Sequence, residues 1–384
     1  MEERKRNLLI SGIIIVGSVL IALLLTKSII KDLTSLDLFR PTEKKIDFKL
    51  SDIYNSVEEK RTVTPLSQNV VVINVDNCDR NGVLDAIHTI DACHPKAIGL
   101  DIYFAVPQEN NDYLLQTLLT TDNLVCAMRV DTIEGGAYYQ RIPLSFFDDT
   151  LSPQHSGYVN LDVAHSWNVV RTFLPYVCTS ENDTLPSMAL ELAKVADAER
   201  ADQLLQRGNA VETIDFTSHE IEIIEAEKLG NADVQERLSG KVVLIGVIDD
   251  IKDSYLTPLH DPKPGVLIHA YALQTILSAS YIKTSPAWLN WMIAICICLV
   301  FLILLRTTKN HVSYVGFLVI RFSQFAIMYG LIWCGCQAYS GCHLYMDFAP
   351  SILMLGLASL AYDFATATYG IINNIVQKYK RHTK

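Results

Sequence analysis

Long apolar segments constrain this chain more than any other feature of its sequence. The first covers residues 8–26, and at about 1.5 Å of rise per residue a helix of that length crosses a hydrocarbon core of about 30 Å. Three further apolar segments follow near the other end of the chain, at residues 286–306, 312–338 and 344–363. The sequence therefore predicts one N-terminal transmembrane helix, at residues 8–30, and three C-terminal ones.

A cleaved signal peptide is the competing interpretation of the first segment, since the basic residues 4–6 precede it. Signal peptidase cleaves after small residues, whereas the end of this segment carries a lysine at position 27. The apolar segment is also long for a signal peptide. A retained membrane anchor is therefore the preferred interpretation.

The distribution of basic residues predicts the orientation of the helices. Lys and Arg are concentrated in residues 1–7, in the short loop with Arg306 and Lys309, and in the tail, residues 364–384. Both termini are thus expected in the cytoplasm. Since each crossing reverses the side of the chain, residues 31–285 are expected outside the cytoplasm, in a multi-pass protein whose first partner is the lipid bilayer.

The charge of the chain argues against a nucleic-acid partner. The formal net charge is -10 and includes the basic cytoplasmic segments, so the outer domain is more acidic than the whole chain. A polyanion needs a basic surface, and residues 31–285 contain no stripe of Lys and Arg. Binding of nucleic acid is therefore not expected.

The outer segment alternates between the patterns of strands and helices. Residues 69–76 are rich in β-branched side chains, residues 83–92 have helical apolar spacing, and residues 96–104 are again apolar. Continuous apolar strands are typical of a parallel sheet covered by helices on both faces. The predicted fold is one α/β domain with a mainly parallel central sheet flanked by helices. Further strands are predicted at residues 124–130, 157–161, 169–177, 211–216 and 241–247, and further helices at residues 185–207, 228–238 and 266–278.

Nine cysteines are present, and four of them, Cys78, Cys93, Cys126 and Cys178, fall in the outer domain. Their spacing has no metal-binding signature. An oxidising compartment permits disulfides, but the first three lie in or beside predicted core elements. Free thiols and disulfides therefore both remain open.

Several carboxylates follow predicted strands, where loops leave the sheet and functional side chains gather. Asp76 ends the first strand, and Asp249, Asp250 and Asp253 follow the strand at residues 241–247. Asp101 is expected inside its strand, where a carboxylate is costly without a hydrogen-bonded or cationic partner.

Two interpretations of these carboxylates compete. In one, Asp76, Asp101 and Asp253 form a divalent-metal or catalytic cluster, to which His269 could add a ligand or base. In the other, Asp101 is a structural anchor, Asp76 and Asp253 cap loops, and His269 is a satisfied core histidine. The structural interpretation is preferred because buried ion pairs are also common outside active sites. No nucleophile elbow, P-loop, dinucleotide fingerprint or zinc spacing is present, so we expect no catalytic residue, bound metal or cofactor.

Arg321 is a charged residue in the third of the four apolar segments, and it needs a partner if it lies within the membrane span. If that span begins near residue 322, Arg321 ends the cytoplasmic loop. If it begins near residue 312, Asp363 lies at a compatible depth, and we predict an Arg321–Asp363 ion pair. Reversing the charge of Arg321 should then impair abundance, and Asp363→Arg should restore it.

The order of several short motifs resembles the CHASE2 domain family, the extracytoplasmic sensory module of bacterial membrane receptors. The matching stretches are VVVINVD (residues 70–76), KAIGLDIYF (96–104), GYVNLD (157–162), VVR (169–171), KVVLIG (241–246), YLTP (255–258) and PGVLIHA (264–270). The resemblance implies a periplasmic domain and a sensory role. It also adds Asn160 and Arg171 to Asp76, Asp101, Asp253 and His269 as ligand-binding or structural core candidates.

Two departures from the family pattern bear on ligand binding. The segment at residues 77–83 is too short for the family's insertion after the first strand, and Trp167 and Asn168 replace its usual Asp-Gly. Family members commonly continue into a cyclase or a kinase, whereas this sequence ends soon after its last apolar segment. We therefore expect a separate cytoplasmic or membrane effector as partner.

The leading hypothesis is a non-catalytic sensor or scaffold that binds a small molecule or envelope component. A divalent-metal-dependent hydrolase and a structural subunit of an envelope complex are the alternatives. The sequence leaves the oligomeric state open, with a homodimer as one option.

Overall fold

The computed structural model describes residues 2–33, 49–61, 64–109, 111–133, 138–148, 155–161, 169–181, 183–259, 261–309 and 314–382. The chain divides into two compact units, Met1–Tyr54 with Lys283–Lys384, and Asn55–Ile282. The helices are α1 (Glu2–Leu33), α2 (Leu50–Arg61), α3 (Arg80–Asp91), α4 (Asn111–Thr120), α5 (Met188–Ala196), α6 (Ala198–Gln206), α7 (Ala232–Leu238), α8 (Gly265–Ser278), α9 (Ala287–Lys309), α10 (Tyr314–Cys342) and α11 (Ala349–His382). The strands are β1 (Leu66–Asn74), β2 (Ala97–Leu100), β3 (Leu124–Ile133), β4 (Tyr138–Ile142), β5 (His155–Tyr158), β6 (Thr172–Phe173), β7 (Tyr176–Cys178), β8 (Thr184–Pro186), β9 (Glu212–Thr213), β10 (Glu220–Glu225), β11 (Val242–Gly246), β12 (Ser254–Leu256), β13 (Pro262–Pro264), β14 (Lys283–Thr284) and β15 (Leu344–Tyr345).

The first unit contains the apolar helices. Within the described residues, four helices are long and apolar enough to cross a membrane, at Lys5–Ile30, Ala287–Thr307, Leu318–Cys342 and Ala349–Tyr379. These agree with the four apolar segments predicted from the sequence. Helices α1, α9 and α11 share a core that includes the fully or almost fully buried Ile14, Ala294 and Ala358.

The last long helix differs from its predicted extent at both ends. It begins at Ala349 rather than at residue 344, because β15 pairs with β14 and the Asp347 carboxylate accepts a hydrogen bond from the Ala349 N–H (3.0 Å). At the other end α11 continues to His382, so most of the predicted tail from residue 364 onward is helical.

Polar side chains join α10 to α11. Gln324 donates to the Leu355 carbonyl (2.5 Å), and Arg321 donates to Ser359 Oγ (2.5 Å) and to Gln324 Oε1 (3.1 Å). Since α10 begins at Tyr314, Arg321 lies inside the helix. Ser359 precedes Asp363 by one turn, and the Arg321–Asp363 ion pair stays a prediction.

The second unit is built on a mainly parallel sheet with the strand order β10-β1-β11-β2-β3-β4, in which β5 also pairs with β3. All of these pairings are parallel except that of β3 with β4. This confirms the predicted fold class. Side chains of β1 alternate between the two faces, with Val70 in the core formed with α5 and α8, and Val71 in the core formed with α3 and α4. Both faces are therefore buried.

Several predicted elements differ from the observed ones. The strands predicted at residues 169–177 and 211–216 are reduced to β6, β7 and β9, which pair outside the main sheet. The predicted helix at residues 185–207 is divided at Asp197, whose side chain caps α6. Strand β10 was not predicted, because its sequence EIEIIE carries charged residues, as suits an edge strand.

No disulfide joins the nine cysteines, all of which lie in the described part of the chain. Cys126 is buried in β3, Cys78 and Cys93 are half-buried, and Cys178 is exposed.

Candidate functional site

A cavity of about 450 Å³ lies at the carboxyl end of the parallel sheet. Parallel strands bring the loops at their carboxyl ends to one edge of the sheet, where polar side chains lie outside the hydrophobic core. The polar and charged residues that line the cavity are Asp101, Tyr103, Arg129, Asn160, Asp250, Asp253, Tyr255 and His269. Six residues of this domain were predicted from the sequence as site candidates. Four of them line this cavity, namely Asp101, Asn160, Asp253 and His269.

Asp101 follows β2 rather than lying inside it, because the strand ends at Leu100. Its backbone N–H donates to the Ile245 carbonyl (2.9 Å), which extends the pairing of β2 with β11 and fixes its position. The expected partner is absent from the described residues, none of which hydrogen-bonds or ion-pairs with the Asp101 carboxylate. Burial and the nearby Asp253 carboxylate raise the pKa of Asp101 to about 7. Asp101 thus carries an unsatisfied carboxyl group in the cavity wall.

Asp253 is placed by a hairpin. Pairing of β12 with β13 sets Ser254 opposite Pro264, so that Asp253 lies beside Gly265, the first residue of α8. The Gly265 N–H and the Tyr255 hydroxyl donate to the Asp253 carboxylate. Burial raises the pKa of Asp253, and these hydrogen bonds oppose the shift. Asp253 therefore caps the N-terminus of α8, where a negative charge is favourable.

Gly265 is required by this contact. An ideal Cβ at this position would lie 2.5 Å from Asp253 Oδ2, closer than any real contact of these atoms. The glycine in the PGVLIHA motif thus allows the carboxylate to approach the helix backbone.

His269 is a neutral histidine in the cavity wall, on α8 and only 6% exposed. Burial lowers its pKa to about 4, so at neutral pH its Nε2–H donates to the Val159 carbonyl (3.1 Å). None of the described residues hydrogen-bonds to Nδ1, which is the acceptor nitrogen of this tautomer. Nε2 of His269 is therefore committed to a hydrogen bond within the protein, whereas Nδ1 is available to a ligand.

Asn160 has a structural role. Its amide accepts a hydrogen bond from the Val130 N–H (2.9 Å) and donates to the Val130 carbonyl (3.0 Å). The side chain thus continues the pairing of β5 with β3 two residues beyond the end of β5. This positions Val159 and Leu161 in the cavity wall.

Arg129 and Tyr103 belong to the cavity but were not predicted from the sequence. Arg129 is exposed on β3, and no described residue forms an ion pair or hydrogen bond with its guanidinium group. Tyr103 lies close enough to Asp101 that this charge adds to burial in raising the pKa of its hydroxyl. An arginine near the end of an otherwise apolar strand, in LVCAMRV, was the available signal.

Asp76 and Arg171 do not line the cavity. Asp76 Oδ2 accepts hydrogen bonds from the backbone N–H groups of Ile248 (3.3 Å) and Asp249 (3.0 Å), so Asp76 holds the loop that follows β11. Arg171 is buried just before β6. Asp162, Trp167 and Asn168, which the sequence also singled out, lie outside the described residues.

The carboxylates do not converge on a metal site in the described part of the chain. No group of three His, Cys, Asp or Glu side chains there could bind a metal ion. The hydrolase hypothesis required Asp76 beside Asp101 and Asp253, whereas Asp76 is directed to the backbone of the neighbouring loop.

Comparison with known families gives one result. The CHASE2 domain matches residues 33–305, which includes the whole sheet, the cavity and most of α9. Comparison with curated proteins and with solved structures finds no significant match.

Proposed function

Because the chain belongs to the CHASE2 domain family of extracytoplasmic sensory domains, we propose that it is a non-catalytic, membrane-anchored sensor. Its α/β domain lies in the periplasm, and its four apolar helices cross the cytoplasmic membrane of a bacterial cell. The domain binds a small molecule and passes the change through these helices to a separate effector protein.

The observation that carries this proposal is the cavity with the unpartnered Asp101 carboxylate. A half-buried carboxyl group without a hydrogen bond destabilises a fold, so a chain that retains one is expected to use it for a ligand. Concave sites lined by apolar side chains and a few convergent polar groups are typical of small-molecule binding. No catalytic arrangement is needed to explain these features.

Helix α8 offers a route from the cavity to the membrane. Its first residue, Gly265, contacts Asp253, and its second turn carries His269 in the cavity wall. Only residues 279–286 separate the end of α8 from the start of α9. We propose that a ligand shifts α8 and that this movement is transmitted along the chain to α9.

Labelling of Cys178 tests the orientation. This thiol is exposed, so a membrane-impermeant maleimide should modify it in spheroplasts of cells that express the full chain. Modification is measured at the Cys178 peptide by mass spectrometry. A cysteine introduced by Lys378→Cys, in the predicted cytoplasmic tail, is the matched control and should react only after permeabilisation. Reaction of Cys178 only after permeabilisation would place the domain in the cytoplasm and refute the proposal.

Ligand screening of the purified full chain in nanodiscs tests the sensor role. The panel comprises the twenty proteinogenic amino acids, sugars, nucleosides, organic acids, polyamines, Mg²⁺ and Ca²⁺. A compound that binds should raise the melting temperature, slow hydrogen exchange in α8 and alter exchange in α9. The sensor role is rejected if no compound binds, or if binding leaves both helices unchanged.

A further inference from the structure

We infer that the cavity binds a free α-amino acid, with the ligand ammonium group at Asp101 and Asp253 and its carboxylate at Arg129. This inference rests on the proposed sensor function and specifies the chemical class of the ligand.

The acidic side of the cavity lacks a cation. Asp101 and Asp253 both line it, close enough that the charge of Asp253 raises the pKa of Asp101. Asp253 already accepts hydrogen bonds from Gly265 and Tyr255, whereas no described residue donates a hydrogen bond to the Asp101 carboxylate or forms an ion pair with it. Two neighbouring carboxylates repel each other, and an ammonium group between them would remove this repulsion and donate hydrogen bonds.

His269 independently indicates a hydrogen-bond donor in the ligand. The side chain is 6% exposed and lines the cavity, and its Nε2–H is committed to the Val159 carbonyl. The remaining ring nitrogen, Nδ1, accepts from no described residue. Because His269 lines the cavity, a ligand ammonium group there can donate to Nδ1 of His269 as well as to the Asp101 carboxylate.

The opposite charge is available in the lining of the same cavity. Arg129 on β3 lines it, and no ion pair joins its guanidinium to Asp101, Asp250 or Asp253. A guanidinium binds a carboxylate through two parallel hydrogen bonds. A ligand that pairs with the two carboxylates and with the Arg129 guanidinium therefore carries both an ammonium and a carboxylate group.

The size and remaining surface of the cavity suit an amino acid with an apolar side chain. Its volume is about 450 Å³, and Ile102, Val159, Leu161 and Val247 contribute apolar surface. A metal ion would leave this surface unused. A polyamine would leave Arg129 without a partner.

Binding assays with the full chain in nanodiscs test the inference. The probes are the twenty L-amino acids, and each one that binds is compared with its N-acetyl and carboxamide derivatives, which lack one charge each. We expect both derivatives to bind at least about ten-fold more weakly by calorimetry. Putrescine, acetate, Mg²⁺ and Ca²⁺ are tested in parallel.

Matched variants locate the site. Asp101→Asn and Arg129→Gln should each weaken binding of the amino acid about ten-fold or more. Asp249→Asn and Arg237→Gln remove the same charges outside the cavity and should leave the dissociation constant unchanged. Arg129 is exposed, so its variant should fold even if the Asp101 variant does not.

The outcomes separate this inference from the sensor proposal. Equal binding of the charge-deleted derivatives, or an affinity that neither cavity variant changes, overturns the inference. Binding of only a sugar, a polyamine or a divalent ion also overturns it but leaves the sensor function intact. Absence of binding by the whole panel rejects both.

Discussion

Asp76 and Asp101 follow two strands of the same sheet, but only the Asp76 carboxylate has hydrogen-bond donors among the described residues. Asp76 follows β1 and Asp101 follows β2, and both strands pair with β11. Asp76 accepts two backbone hydrogen bonds from the loop after β11. Asp101 receives none from any described residue, and its pKa is raised to about 7. One carboxylate stabilises a loop, whereas the other costs stability and is available for binding.

The difference between the two aspartates arises from what lies beside each of them. The loop after β11 turns over the end of β1 and presents its N–H groups to Asp76. The same loop continues to Asp253, which brings a second carboxylate towards Asp101. Asp101 lines the cavity and has no hydrogen-bond or ion-pair partner among the described residues, which makes it the stronger functional candidate.

The largest effect is expected from Gly265→Ala. The new Cβ would displace the Asp253 carboxylate and break its hydrogen bond to the Gly265 N–H. We expect a loss of about 2–4 kcal/mol in the free energy of unfolding. Hydrogen exchange of β11 and α8 peptides in the full chain measures it. Gly230→Ala, where an added Cβ meets nothing within 4 Å, is the control. Equal stability of the two variants would contradict the assigned role of Asp253.

A smaller loss is expected from Asp76→Ala. This change leaves the N–H groups of Ile248 and Asp249 without their acceptor, which costs about 1–2 kcal/mol because water replaces it in part. Chemical denaturation followed by hydrogen exchange of β1 peptides measures the loss. Since Asp76 does not line the cavity itself, the ligand affinity of the folded variant should fall less than that of Asp101→Asn. If the variant is as stable as the wild type, Asp76 does not stabilise the loop after β11, and the proposed difference between Asp76 and Asp101 is wrong.

The smallest effect, with the opposite sign, is expected from Asp101→Asn. The folded-state pKa of Asp101, about 7, exceeds the value of about 3.9 for an unfolded aspartate. Between these values the folded state binds more protons, so its stability falls as the pH rises. Above pH 7 the wild type carries the full cost of the charge. Allowing for solvent in the cavity, we expect the variant to be about 1 kcal/mol more stable there.

Melting temperatures from pH 4 to pH 9 check this expectation. The gain of Asp101→Asn should be greatest above about pH 7 and should become small towards pH 4, where Asp101 is protonated in the folded state and about half protonated in the unfolded state. Asp249→Asn provides the exposed control and should show no such dependence. A variant that fails to fold at pH 8 would instead make Asp101 a structural anchor.

Much of the fold was predictable because it depends on local patterns. The apolar strand VVVIN and its neighbour KVVLIG have no polar face, so a sheet covered on both sides was the stable arrangement for them. The four apolar helices follow from length and hydropathy alone. Strand β10 could not be predicted in this way, because pairing with β1 places its glutamates at a sheet edge.

The sequence by itself determined that aspartates end or follow β1 and β11, and hence which edge of the sheet carries negative charge; that Asp101 follows β2 came from the structure. Only the tertiary structure decided that backbone N–H groups satisfy Asp76, that Asp253 approaches Asp101, and that Arg129 lines the same cavity. The physical reason is that a carboxylate's role depends on its desolvation and on donors and charges from residues distant in the chain. Sequence spacing does not specify those distances, whereas the hairpin of β12 and β13 and the register of β11 do.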